Sequence, residues 1–83
     1  MELPLPTVLR VAGFRFYFYS HENNEPAHVH IDRSGASAKV RLDPPSLARS
    51  AGYSAQELSS ILGLVRVHRE RLLEGWHEFF GTG

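Results

Sequence analysis

Apolar and polar side chains alternate along three stretches of this chain, and the alternation sets the expected fold. In Phe14-Arg15-Phe16-Tyr17-Phe18-Tyr19 the three phenylalanines take every second position, with Arg15, Tyr17 and Tyr19 between them. In His28-Val29-His30-Ile31 two apolar residues alternate with two histidines. In Ala38-Lys39-Val40-Arg41-Leu42-Asp43, Val40 and Leu42 alternate with Lys39, Arg41 and Asp43. Successive side chains of a β-strand point to opposite faces, so each stretch predicts a strand with one apolar and one polar face. Residues 7–11 predict a further strand, and Ala12-Gly13 turns it into the strand that starts at Phe14. Residues 21–26 read as a polar loop with a turn at Asn23-Asn24, and Asp32-Arg33-Ser34-Gly35 as the next hairpin. Asp43-Pro44-Pro45 ends the last strand, and residues 46–51 read as one helical turn closed by Gly52.

From Ser54 the period changes. Ser54 and Glu57 have the spacing of a capping box, in which each side chain satisfies a backbone N–H at a helix start. Leu58, Ile61, Leu62, Val65, Leu72 and Leu73 then recur at helical spacing, with Arg66, Arg69 and Glu70 on the outer side. A helix unbroken to Phe80 would be roughly 40 Å long, about twice the span of a six-residue strand. Gly63 and Gly75 are the places where it could bend or stop. Trp76, Phe79 and Phe80 then fold back on the core or cover a partner, which includes a second copy of the chain. The expected class is α+β: a small antiparallel sheet of about four strands with a long C-terminal helix packed on one face, as a single domain over residues 1–83.

Composition narrows the function. The chain has 83 residues, with nine basic and nine acidic side chains, so attraction to a polyanion must come from the distribution of charge. It has no cysteine, which excludes thiolate chemistry and disulfides. No apolar run approaches the roughly 20 residues of a membrane span, and Met1-Glu2-Leu3-Pro4-Leu5-Pro6 is too short and proline-rich for a signal peptide. A cytoplasmic protein without membrane contact is expected.

The polar strand face holds the candidate chemistry. His28 and His30 stand about 6.5–7 Å apart along a strand. As catalytic residues, one imidazole would act as base toward a ribose 2′-hydroxyl and the other as acid toward the leaving oxygen, with no cofactor. Arg15, Lys39 and Arg41 would bind the phosphate, and Tyr17 and Tyr19 would stack bases. Alternatively, His28 and His30 hold Zn²⁺ or Ni²⁺, with His77, Glu78 or Asp32 completing the sphere. The plainest alternative is a solvated strand face with no chemistry. What favours an anionic ligand is company: Arg10, Arg15, Lys39 and Arg41 share the histidines' face by parity. His77 reads as a solvated helix residue, His68 as a helix-flank residue and His21 as a loop residue.

Several segments carry a family resemblance. They are Pro6-Thr7-Val8-Leu9-Arg10, Gly13-Phe14-Arg15-Phe16, Tyr19-Ser20-His21-Glu22, Glu25-Pro26-Ala27-His28-Val29-His30, Ala38-Lys39-Val40, Leu42-Asp43-Pro44 and Trp76-His77-Glu78-Phe79. Together they resemble a family of very small bacterial proteins classed as a domain of unknown function (family four-one-six-zero). His28, His30, Trp76, His77 and Glu78 match its pattern. Ala27, Arg41 and Gly75 depart from it, where proline, an aromatic residue and alanine are common. The resemblance implies the toxin component of a two-gene toxin–antitoxin module, with a cognate small antitoxin-like protein as partner. Joined to the polar face, it yields the expectation of a toxin that acts on RNA. A non-enzymatic metal- or protein-binding module using His28 and His30 is the alternative.

Overall fold

The computed structural model describes residues 7–20 and 24–81. Five strands, β1 (Leu9–Val11), β2 (Phe14–Tyr17), β3 (His28–Arg33), β4 (Ala36–Leu42) and β5 (Pro45–Ala51), precede two helices, α1 (Ala55–Val67) and α2 (Arg69–Phe80). The strands form one antiparallel meander in the order β1-β2-β3-β4-β5. The first two hairpins share one turn solution. Ala12 and Gly13 have φ of 53° and 81°, and Ser34 and Gly35 have φ of 51° and 84°. Two consecutive positive-φ residues give the turn whose twist matches that of the flanking strands. The expected turn at Asn23-Asn24 falls partly, and His21 wholly, outside the described residues.

Strand parity sorts the apolar side chains as expected. Phe14, Phe16, Phe18, Val29, Ile31, Val40 and Leu42 are all buried, packed with Ile61, Val65, Leu72 and Trp76 from the helices. The fold is α+β, with two differences from the sequence reading. Residues 46–51 are not a helical turn but most of β5, a fifth strand. Asp43, just after β4, accepts from Arg69 Nη2 at 2.6 Å, while Arg69 Nε donates to Leu42 O at 3.0 Å. This clamp ties the β4–β5 connection to the start of α2.

The single long helix is also divided. It bends at His68, whose φ of −102° and ψ of 15° interrupt the helical backbone. Hydrogen bonds cross the bend, from His68 N to Leu64 O and from Leu72 N to His68 O. Thirteen and twelve residues make helices of about 20 and 18 Å, each matched to a strand of six or seven residues. Neither glycine marks the bend. Gly75 lies within α2 for a packing reason, because a Cβ there would sit 3.0 Å from Val8 Cγ1 and 3.3 Å from Phe18 Cε2. That close approach brings Phe18 within 6.0 Å of the Phe79 and Phe80 rings and 5.6 Å of Trp76. Trp76 is thus part of this chain's own core.

Candidate functional site

Register places four polar side chains in one row across four strands. Tyr17 pairs with His30, His30 with Lys39, and Lys39 with Arg49. Directly paired residues share a face, so the row lies opposite the phenylalanine core. A second row, Arg15–Asp32–Ser37–Ala51, runs beside it. Residues of both rows line a pocket of about 300 Å³, formed by Tyr17, Tyr19, His30, Asp32, Ser37, Lys39 and Arg49 together with Ala38, Ser50 and Ala51.

Arg49 reaches this face through an irregularity. Lys39 pairs with Arg49 and Val40 with Leu47, which leaves Ala48 as an extra residue, a β-bulge. In a regular strand Leu47 and Arg49 would share a face. The bulge instead puts Leu47 opposite Val40 and Arg49 opposite Lys39.

The aromatic half of the site is more closed than sequence parity predicts. Tyr17, His28 and His30 were expected on an open surface, yet they are 5 %, 1 % and 7 % exposed. The cause is mutual coverage by rings and long side chains. The His30 ring stacks on Tyr17 at 5.6 Å and meets Tyr19 edge-on at 4.7 Å and His28 at 5.2 Å. The Arg15 guanidinium lies 4.3 Å over the Tyr17 ring while its Nε donates to Thr7 Oγ1. Trp76 of α2 packs on His28 at 5.1 Å, which draws that histidine into the aromatic core. His28 Nδ1 is 2.9 Å from Pro26 O. A carbonyl only accepts, so Nδ1 is the protonated nitrogen.

Two charges organise the polar half. Tyr17 Oη donates to Asp32 Oδ2 at 2.9 Å, and Asp32 Oδ1 is buried with no hydrogen-bond partner among the described residues. Burial, the hydrogen bonds with Tyr19 and Asp32, and the Asp32 charge push the Tyr17 phenol far above the ordinary tyrosine range. It is a fixed donor. Lys39 Nζ reaches Glu25 Oε1 at 2.6 Å. Arg49 makes no hydrogen bond or ion pair among the described residues, and it stands directly opposite Lys39. Like charges in a cross-strand pair repel, so an anion between them is favoured.

The remaining predicted residues are dispersed. Arg41 is exposed opposite His28. His77 and Glu78 are exposed on α2, and no group of three or more His, Cys, Asp or Glu side chains among the described residues could hold a metal ion. Arg49 was the residue that sequence reasoning missed. Only a strand reading of residues 45–51, with the bulge included, would have found it. Asp32 was weighed as a metal ligand and not as the partner of Tyr17.

The arrangement can bind an anion beside an aromatic surface, and it presents one imidazole, His30, to the pocket. His28 lies beneath Trp76, out of reach of a substrate hydroxyl in this conformation. Compared with known proteins, residues 13–77 match the family described as Domain of unknown function (DUF4160). No curated protein and no solved structure gives a significant match.

Proposed function

Because the chain belongs to the DUF4160 family of domains of unknown function, we propose its role from the site itself: it binds RNA through the pocket on the sheet face. The observation that carries this reading is the Tyr17–His30–Lys39–Arg49 row. On a protein with no net charge, two cations stand side by side next to aromatic rings, which is the combination that single-stranded nucleic acid requires. In the two-gene module that the family resemblance implies, this chain is the toxin partner and RNA is its target. His30 is the imidazole placed to exchange a proton with a bound ribose, so any metal-independent cleavage runs through it.

The test is fluorescence anisotropy with a labelled single-stranded RNA. The double variant Lys39→Ala/Arg49→Ala should weaken binding and flatten the slope of log affinity against log salt by about 1.4, since each lost phosphate contact removes about 0.7. Arg66→Ala/Arg71→Ala, on the exposed helix surface, should change neither. An equal loss from the helix pair would move the RNA surface off the sheet. A gel assay in the presence of chelator reads cleavage on the same samples. Growth arrest on expression, relieved by the double sheet variant, reads the toxin role.

A further inference from the structure

We infer that the pocket accepts one unpaired nucleotide, with its base against Tyr19 and His30 and its phosphate at Arg49, and that the Glu25 carboxylate occupies Lys39 until a phosphate replaces it. This rests on the RNA reading and adds the form of the ligand and the contact that opposes it.

The row is polarised. Its Tyr17–His30 end is aromatic and its Lys39–Arg49 end cationic, with about 10 Å from the β3 to the β5 backbone. A nucleotide has the same order, a flat ring at one end and a phosphate at the other. The rings are held in place. Tyr17 is fixed by its bond to Asp32 and backs His30, and Tyr19 meets His30 edge-on from the half-exposed side. Asp32 lies among the aromatic groups, so its carboxylate repels a phosphate there and leaves Arg49 as the favourable end. The concavity also decides between single and double strands. Bases of an RNA duplex are stacked inside it, and its accessible groove is wide and shallow. Only a base that has left the stack can enter a pocket of about 300 Å³.

Glu25 supplies the opposing contact. Its Oε1 lies 2.6 Å from Lys39 Nζ, and the Lys39 side chain is only 15 % exposed. A carboxylate on that ammonium occupies the place a phosphate oxygen would take. Exchange of one anion for the other keeps Lys39 neutralised throughout.

The experiment is an amide chemical-shift titration with uridine 5′-monophosphate and, separately, inorganic phosphate, alongside competition of labelled single-stranded RNA by unlabelled single strand or duplex. Uridine monophosphate should shift His30, Lys39 and Arg49, bind more tightly than phosphate, and displace RNA. Single strand should compete better than duplex. Tyr19→Leu should weaken the nucleotide about tenfold and leave phosphate affinity unchanged, while Tyr19→Phe should retain both. Glu25→Gln should tighten nucleotide and phosphate several-fold, whereas Glu78→Gln should not. Phosphate binding as tightly as the nucleotide, or duplex competing as well as single strand, would overturn the single-nucleotide site with RNA binding itself intact. Glu25→Gln without effect would overturn the opposing contact. If Tyr19→Leu fails to fold, the comparison of nucleotide with phosphate on the unaltered protein still decides. RNA affinity indifferent to Lys39 and Arg49 would instead bring down the broader reading.

Discussion

Tyr17 Oη donates to Asp32 Oδ2 at 2.9 Å and lies 3.4 Å from Tyr19 Oη, so two hydroxyls and a carboxylate form one short chain. Burial above all disfavours an ionised phenol here, and the hydrogen bonds with Tyr19 and Asp32 and then the Asp32 charge add to it, so its pKa is raised. Tyr53 is raised as well, by burial first and then by Asp32, while its hydroxyl donates to Ile31 O at 3.0 Å. The folded state therefore favours the neutral form of both phenols. The stability they contribute is fully present below the unfolded value of about 10 and is lost as pH rises beyond it. We expect denaturant stability to fall above that pH, with the ultraviolet absorbance change of Tyr17 and Tyr53 appearing together with unfolding. Tyr17→Phe should soften the alkaline loss and, at neutral pH, cost about 1–3 kcal/mol, because Asp32 loses its donor. A tyrosine absorbance titration complete near pH 10 with the protein still folded would contradict this account.

At the scale of elements, α1 begins where its sequence signal says it should. Ser54 Oγ accepts from Glu57 N at 3.1 Å and Ser54 N donates to Glu57 Oε1 at 2.8 Å. Glu57 also binds Arg33 at 3.0 Å, which joins the helix start to the end of β3. The Ser54 backbone N–H, with the Arg33 hydrogen bond next, holds the Glu57 carboxyl below its ordinary value. That contribution is present above the unfolded value of about 4.5 and disappears as pH falls through the folded one. Ser54→Ala should cost about 1 kcal/mol, lower the melting temperature by about 4–8 °C, and reduce the acid dependence. Thermal melts at pH 7 and pH 3 measure both effects. The same paired signals made most of the fold legible. Alternating phenylalanines fixed which face of β2 is buried, and Ala12-Gly13 and Ser34-Gly35 fixed two turns. What stayed hidden depends on contacts distant in sequence. β5 starts at the second of two prolines and carries one large apolar side chain, Leu47, so nothing local marks it as a strand, and its bulge hides the facing of Arg49. The bend at His68 answers to the width of the sheet below it, while Gly75 serves the close approach of Phe18. The burial of His28 is owed to Trp76, 48 positions along the chain.

On the whole molecule, charge is sorted rather than accumulated. Arg33 and Arg69 are committed to carboxylates that tie helices to the sheet, while Lys39 and Arg49 are turned toward the pocket. No helix among the described residues is long and apolar enough to cross a membrane. The bulge at Ala48 has a consequence for colloidal behaviour. β5 is the last strand of an open sheet, and a seven-residue edge is a template on which a neighbouring chain can build. Pro45, the bulge and Arg49 each spoil that template, the bulge by twisting the strand. Deleting Ala48 would restore a regular ladder with Leu47 still opposite Val40 and Arg49 still opposite Lys39. The pocket would keep every residue, and the deletion variant should bind its ligand as before. Its edge, however, would now be flat. We expect that variant to assemble into larger species as concentration rises, visible by light scattering where the unaltered chain stays dispersed. On this view, one alanine that touches no ligand keeps the sheet from growing past its fifth strand.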